Sequence, residues 1–293
     1  MELDWVTNHL ASCCHAAEGI ARGLPLADSR LGEQFVNAAQ ALRKEISILQ
    51  VPSRPFWSNL LAYAHQTDDR QSLVRTTLRK TIGIDSTSAE SVDRLANCIR
   101  EVEAAVRQAL PRMLDDLALR LRPIQEQWEA RGPGLLHAIG RLTDQRLVAE
   151  RATVVAVHPA FGGGGGASLA TNAVRIEAVL TNVIDGLPEV VRLGWLLVQL
   201  NHELPIFSDR VHGSRLPLVA QLAMLPAILQ ASESVELSTL TPFTIAEALP
   251  AWRIEVAADK DIAATLLDWW NTYLDTKPAW DIALAALDQM IGD

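Results

Sequence analysis

An apolar repeat of helical period in the first half of the chain constrains the fold most. Val92, Leu95, Ile99, Val102 and Val106 recur at alternating spacings of three and four. This spacing places all five side chains on one face of an α-helix. The sequence therefore predicts a long amphipathic helix that buries this face against other helices.

The repeat continues beyond Pro111, and its further members are Leu110, Met113, Leu114, Leu117 and Leu121. Proline lacks an N–H and clashes with the preceding turn, so we expect a kink or a fresh helix start at this residue. The second stretch is predicted to end near Gly132–Gly134, where a proline lies between two glycines.

Shorter stretches before residue 90 show the same period. One predicted face contains Trp5, Leu10, Cys13 and Ile20, and Thr87–Glu90 fits a capping box at a helix start. Further helical faces include Leu31, Phe35, Ala39, Leu42 and Ile46, followed after Pro52 and Pro55 by Trp57, Leu60, Leu61 and Ala64. Residues 1–150 are thus predicted to form a helical bundle domain.

The pattern changes near residue 150. The short β-branched run 153–157 predicts a buried strand, and the partly alternating run 174–180 predicts a half-buried one. Helices are predicted from Pro188 to Asn201 and over roughly 216–230, 262–273 and 278–291. Residues 151–293 are predicted to be an α+β domain, so the fold class is mainly α with a small β component.

Charge and cysteine content exclude several classes of partner. The net charge is −9, and residues 151–293 carry 8 basic against 16 acidic side chains. An acidic surface repels phosphate groups, which argues against nucleic acid and anionic membranes as partners and leaves a protein partner open. Three cysteines form no disulfide framework, and the N-terminus lacks the features of a signal peptide, so we expect a cytoplasmic protein.

Five consecutive glycines, Gly162–Gly166, are the most unusual local feature. With Ala167 they match the spacing of the dinucleotide fingerprint, but that site needs a helix to begin at the loop, and a strand-like stretch follows. A P-loop also needs a Lys-Ser/Thr pair, which is missing. We expect no bound cofactor, and we interpret the run as a flexible strand connection and candidate flap over a cleft, because glycine is costly to order.

The best candidates for metal binding lie near the same region. His202-Glu203 begins like a zinc-peptidase motif, but Pro205 and Ile206 follow and the second histidine is missing. No metal site is predicted. The weak candidates for a loop site are His158, His202, Glu203, Asp209 and His212.

The chain has eight tryptophans against two tyrosines. Trp195, Trp269 and Trp270 lie in helical patterns and are predicted to fill the core. A tryptophan-lined binding surface is the alternative.

The order of strand, glycine loop, a strand at 176–182 and a helix at 187–201 resembles the core of zincin-type metallopeptidases. In that family an edge strand borders the cleft and the next helix carries the H-E-x-x-H zinc motif. The resemblance places Trp195, Leu196 and Gln199 where the first His, the Glu and the second His would stand, so it implies a degenerate scaffold without zinc. The segment also resembles a group of bacterial proteins found in planctomycetes, and that resemblance implies no catalysis.

Three functional hypotheses follow. The leading one is a non-catalytic binding or scaffolding protein, since no reactive motif is complete. The alternative is a hydrolase or metal-dependent enzyme with a site near the glycine loop and His202 or His212. The third is a small-ligand sensor with its pocket beneath Gly162–Gly166.

Overall fold

The computed structural model describes residues 1–84, 87–179, 182, 184–256 and 261–292. Within these ranges the chain forms twelve α-helices and a four-stranded mixed sheet, which confirms the predicted mainly α class with a small β component. The elements of the N-terminal half are β1 (Glu2–Thr7), α1 (His9–Arg22), α2 (Glu33–Ile48), α3 (Ser53–Tyr63), α4 (Arg70–Ile82), α5 (Ala89–Ala109) and α6 (Met113–Leu142).

The described part of the C-terminal half contains three strands followed by six α-helices. Its elements are β2 (Arg151–Val157), β3 (Gly165–Ser168), β4 (Ala173–Glu177), α7 (Glu189–Leu197), α8 (Pro205–Ser208), α9 (Leu216–Glu233), α10 (Pro242–Ala251), α11 (Ile262–Thr276) and α12 (Trp280–Gly292). The predicted helices at 216, 262 and 278 are confirmed as α9, α11 and α12. The prediction that the helix after Pro188 reaches Asn201 was wrong, because the helix ends at Leu197 and turns follow it. Leu180, the last residue of the second predicted strand, lies outside the described residues.

The sheet brings together segments that are far apart in the sequence. Its strand order is β1-β2-β4-β3, with β1, β2 and β4 parallel and β3 antiparallel at one edge. Trp5 was predicted to be helical, and this was wrong, because it lies in β1 opposite Val154 of β2. The alternation of Glu2 and Asp4 with Leu3 and Trp5 is typical of a strand, but the pairing that stabilises it comes from about 150 residues away.

Each face of the sheet covers a separate hydrophobic core. Val155 and Val157 face the N-terminal helices α1–α5, whereas Val154, Val174 and Ile176 face the C-terminal helices α7–α12. Helix α6 contributes to both cores, its first turns to the N-terminal one and its later turns to the C-terminal one. The predicted boundary at residue 150 stays a prediction, and the sheet contains a strand from the N-terminal side of it.

The two prolines that were predicted to interrupt the helical repeat differ in their effect. A fresh helix starts after Pro111, as predicted. The predicted end near Pro133 was wrong, because α6 runs on to Leu142. Burial of Leu135 and Ile139 in the C-terminal core outweighs the backbone hydrogen bond that proline loses.

The predicted capping box at Thr87–Glu90 is replaced by a single serine cap one residue later. Helix α5 begins at Ala89 with Ser88 as its cap, and the Ser88 side chain accepts a hydrogen bond from the Ser91 N–H. Thr87 instead donates its hydroxyl to the Gly83 carbonyl. The residue types at the helix start were read correctly, but their register was not.

Helix α9 (Leu216–Glu233) is long and apolar enough to span a membrane by length and composition. In the structure 72% of that helix is buried inside the protein. Its neighbours include α6, α7, α11 and α12. The apolar character of α9 is thus explained by its place at the centre of the C-terminal core.

Candidate functional site

A cavity of about 690 Å³ lies where the two halves of the chain meet, beside the glycine loop. Helices α1 and α3 line one side of it, and α7, the start of α9 and the segment after α10 line the other. The floor is formed by the backbone of Gly163–Gly165 together with side chains from β4. We call this cavity the central cleft.

Glu177 is the most deeply buried acidic group in the cleft, with 0% of its surface exposed. Alternation along β4 places Arg175 and Glu177 on the same face of the sheet, toward α1. The Glu177 carboxylate accepts hydrogen bonds from the Phe161 N–H at 3.0 Å and the Gly163 N–H at 2.6 Å. Burial by itself would raise the pKa of Glu177, but His15 and these two N–H groups hold it below the ordinary value. Glu177 is therefore a carboxylate that orders the glycine loop.

His15 of α1 connects Glu177 to Arg175. The Arg175 Nε donates to His15 Nδ1 at 3.1 Å, so the imidazole proton lies on Nε2, which donates to Glu177 at 2.9 Å. Arg175 is half-buried, and burial lowers its pKa while Glu18 and Glu177 oppose that shift. Both ring nitrogens of His15 are therefore engaged by neighbouring side chains.

The glycine loop is held by charged side chains, and its flexibility stays a prediction. Arg192 of α7 donates to the Gly164 carbonyl, and Arg253 donates to the carbonyls of Phe161 and Gly163. Gly165 and Gly166 belong to strand β3 rather than to a loop. The loop also separates the central cleft from a second cavity of about 380 Å³ that shares Gly163 with it.

Two glycines of this run need the freedom that glycine has. Gly162 and Gly163 have φ angles of +78° and +144°, which L side chains rarely adopt. These conformations turn the chain so that the Gly163 N–H meets Glu177 and its carbonyl meets Arg253. The glycine run is therefore required by the path of the backbone.

Three tryptophans border the cleft, and one of them, Trp195, is buried in the C-terminal core as predicted. Trp195 and Trp252 lie beside each other with ring centroids 5.2 Å apart, and Trp57 of α3 stands on the N-terminal side. The Trp195 indole donates to the Gln221 carbonyl. The buried Trp57 Nε1–H has no acceptor within the described part of the chain. Trp269 and Trp270 lie in the C-terminal core, as predicted.

The predicted metal candidates do not come together. His158 is buried and pairs with Asp28 at 2.8 Å, far along the chain from the loop residues. Glu203, Asp209 and His212 are exposed, and the His212 ring is hydrogen-bonded to its neighbour Ser214. In the ranges that the structure describes, no three His, Cys, Asp or Glu side chains are grouped so that they could hold a metal ion.

His202 is enclosed in an aromatic cluster of the C-terminal core. Its Nε2 accepts a hydrogen bond from the Trp280 indole at 3.1 Å, so the ring is neutral with its proton on Nδ1. Burial lowers the pKa of His202 to about 4, and the backbone carbonyls of Val198 and Gln199 offset only part of this effect. The side chain is a core residue and lies outside the central cleft.

This burial predicts acid sensitivity. Because the folded state keeps His202 neutral and the unfolded state protonates it near its ordinary pKa, its contribution is complete above that pKa and is lost as the pH falls toward 4. We expect this group to remove about 2 kcal/mol of unfolding free energy between pH 7 and pH 5. Urea unfolding at both pH values measures it.

His202→Gln provides the comparison, since the Gln amide oxygen can accept the Trp280 indole proton without titrating. The variant should lose less stability than the wild type over the same pH interval. Other buried histidines, such as His158, titrate in both proteins and cancel. Equal losses in the two proteins would show that His202 does not cause the acid sensitivity.

The positions given by the zincin resemblance carry structural side chains. Trp195 lines the cleft, Leu196 is buried against Gly165, and Gln199 lies beyond the end of α7 and donates to the Trp195 carbonyl. An indole and an aliphatic side chain bind no zinc, and the Gln199 amide is already engaged. The residues at these three positions therefore do not fit a zinc site.

The sequence did not reveal the residues that build the cleft floor. Arg175 and Glu177 were seen only as polar members of a strand, and Arg192 only as one residue of an apolar helix. The signal that could have revealed these residues is a charged side chain within an otherwise apolar element, because a buried charge needs a partner. His15 gave no signal, because its partner lies 162 residues away. No protein-family model, curated protein or solved structure matches the chain, so its function has to be inferred from the cleft itself.

Proposed function

We propose that this chain is a non-catalytic binding protein whose ligand occupies the central cleft. The observation that carries the proposal is a concave site of about 690 Å³ whose acid and base groups are already bonded to one another. Cavities that bind small molecules commonly measure roughly 300–1,000 Å³. The cleft therefore suits a small molecule better than the flat surface of a folded partner.

The state of the polar groups favours binding over catalysis. A general base needs a free lone pair within reach of the substrate proton. The Glu177 oxygens already accept three hydrogen bonds, from His15, Phe161 and Gly163, and the His15 Nδ1 lone pair accepts one from Arg175. In this arrangement the two residues shape the site and hold its floor.

The arrangement of elements supports a degenerate zincin-like scaffold. Antiparallel strand β3 forms the sheet edge beside the cleft, and α7 follows β4 in the chain and reaches the cleft through Trp195. Indole and aliphatic groups stand at the positions that would carry zinc ligands. In this proposal the scaffold keeps a cleft and has lost the groups that would activate water. A cytoplasmic location is proposed from the sequence alone.

The alternative is a hydrolase that uses the His15–Glu177 pair at the cleft floor. It requires Arg175 to leave His15, which would free the Nδ1 lone pair. Hydrolysis of a model ester or peptide that His15→Gln abolishes would favour it. Stoichiometric zinc after purification, lost in His202→Ala, would instead favour a metal-dependent enzyme near the loops.

A cleft-filling variant tests the binding proposal. Ser58 is exposed on α3 and lines the cleft, so Ser58→Trp should fill the site at little cost to stability. We expect at least one compound of a metabolite panel to raise the Tm of the wild type, because a ligand that binds only the folded state stabilises it. The shift should disappear in Ser58→Trp.

Ser72→Trp is the matched control, since Ser72 is exposed on α4 and lies outside the cleft. It should keep the full Tm shift. A shift that persists in Ser58→Trp would place the ligand elsewhere and refute the proposal. A panel with no active compound, tested at millimolar concentration, would also count against it.

A further inference from the structure

The charges that line the central cleft differ in sign from those of the whole protein. The chain carries a net charge of −9, yet the described cleft residues include four arginines against three glutamates. Arg22 is paired with Glu18 and Glu255, and the Glu177 carboxylate, which keeps its charge, accepts from the neutral His15 ring. The remaining arginines are Arg54, Arg175 and Arg253.

These three arginines contact neutral groups. Arg54 is exposed and donates to the Ser214 carbonyl at 3.4 Å. Arg175 donates to His15, and Arg253 donates to carbonyls of the glycine loop. Within the part of the chain that the structure describes, none of the three has a carboxylate within 4.0 Å. The described lining of the cleft thus carries one more positive than negative side chain in a protein of net charge −9.

A fourth polar group at the cleft, the Trp57 indole N–H, has no hydrogen-bond partner among the described residues. Trp57 lines the cleft with 5% of its surface exposed, and its buried Nε1–H has no acceptor among the described residues. A buried donor left without a partner costs about 1–3 kcal/mol. A ligand oxygen that reached this indole would satisfy its N–H.

The same walls contain three indoles, which have 2–5% of their surface exposed. Trp57, Trp195 and Trp252 border the cavity, and aromatic rings stack favourably on indole faces or edges. The buried Trp195–Trp252 pair is fixed by its position in the C-terminal core and by the Trp195 hydrogen bond to Gln221. The ring system of a ligand would meet a surface that is already ordered.

We infer that the ligand of the central cleft is a small organic anion in which a carboxylate or phosphate is joined to an aromatic or otherwise flat ring system. This rests on the proposed function. The anion lies toward Arg54, Arg175 and Arg253 with the Trp57 N–H as a further donor, and the ring lies along the indoles. Both parts of the ligand contribute to recognition, since the arginines contact the anion and the indoles contact the ring.

Two fluorescent probes that differ only in charge provide the test. The anion is 8-anilinonaphthalene-1-sulfonate, and its neutral counterpart is N-phenyl-1-naphthylamine, which has the same rings without the sulfonate. We expect the wild type to bind the anion at one site about tenfold more tightly, because several arginines act in a partly desolvated cleft. Equal dissociation constants for the two probes would overturn the inference.

Arg54→Gln removes one positive charge with little change in packing, because Arg54 is exposed and its hydrogen bond to the Ser214 carbonyl is long, at 3.4 Å. It should weaken binding of the anionic probe about threefold, because an exposed charge pair contributes little, and leave binding of the neutral probe unchanged. Arg43→Gln, at an exposed arginine of α2 outside the cleft, should change neither probe. An equal effect of Arg54→Gln on both probes would contradict recognition of charge.

The outcome for Ser58→Trp distinguishes this inference from the proposed function. If Ser58→Trp abolishes binding of both probes and the wild type binds the two probes equally well, the cleft binds ligands and only the inferred class of ligand is wrong. If both probes remain bound in Ser58→Trp, or if the wild type binds neither, the proposed function falls as well.

Competition against the bound anionic probe identifies the acidic group. Displacement by 2-naphthoate points to a carboxylate, and displacement by adenosine monophosphate points to a phosphate, and either result supports the class. Displacement by inorganic phosphate as strong as by these compounds would show that the ring contributes nothing. Failure of both ring-bearing anions to compete would overturn the inference.

Discussion

Replacing Arg192 with methionine is expected to lower the free energy of unfolding by about 3–5 kcal/mol. The Arg192 guanidinium is buried, with 1% of its surface exposed, and it donates to Glu189 at 2.8 Å and to the Glu177 carbonyl at 2.7 Å. It also donates to the Gly164 carbonyl. Methionine fills similar volume but leaves the buried Glu189 carboxylate without its partner, and the Gly164 and Glu177 carbonyls keep only their backbone N–H donors. Urea unfolding of the two proteins measures the difference.

Two further variants show whether the loss comes from the buried network. The double variant Arg192→Met with Glu189→Gln should recover part of the stability, because it removes the uncompensated buried charge. Arg151→Met breaks an ion pair with Glu2 at the surface and should change stability by less than about 0.5 kcal/mol. A loss below about 1 kcal/mol in Arg192→Met would mean that water replaces the guanidinium and that the site is less enclosed than the structure indicates.

The second large effect is expected for Gly165→Ala, which should destabilise the protein by about 2–3 kcal/mol. A Cβ at this position would lie 2.3 Å from the Arg175 carbonyl oxygen and 2.7 Å from Leu196 Cδ1. The leucine side chain can shift, but the carbonyl belongs to β4, which pairs with β3. The two strands would have to separate at the floor of the central cleft. Thermal and urea unfolding measure the loss.

Gly213→Ala is the matched control for this prediction. Gly213 is exposed, its φ angle suits other residues, and a Cβ there would meet nothing within 4 Å. This substitution should be neutral or slightly stabilising, because alanine lowers the entropy of the unfolded chain. Equal stabilities of the two variants would contradict the close approach of β3 to β4 and α7.

Local patterns predicted the elements whose stability depends on a continuous apolar face. The repeat from Val92 to Val106 became α5, and the β-branched run before Val157 became β2. Pro111 lies at a helix boundary, but Pro133 lies inside α6. A proline removes one backbone hydrogen bond, and the apolar burial that can compensate for this loss differs from site to site. Strand β1 was missed because β-propensity depends on the partner strand, and that partner lies in the other half of the chain.

The candidate site was much harder to predict than the helices. The residues singled out in advance, such as His202 and His212, were chosen because they lie near each other in the sequence. The structure instead joins His15, Arg175 and Glu177, which come from a helix and a strand on opposite sides of residue 150. Hydrogen bonds and ion pairs depend on distance in space, and sequence spacing predicts that distance only within one element.

The amino-acid sequence alone determined the fold class, the acidic surface and the presence of a glycine run, since these depend on composition and on periodicity within about 20 residues. Only the tertiary structure shows that Glu177, Arg192 and Arg253 hydrogen-bond to the backbone of the glycine loop. It also shows that four arginines among the described residues line one cleft of an acidic protein. The physical reason is that a buried charge is stable only beside its partners. Those partners are brought within reach only when the two halves of the chain pack against the two faces of one sheet.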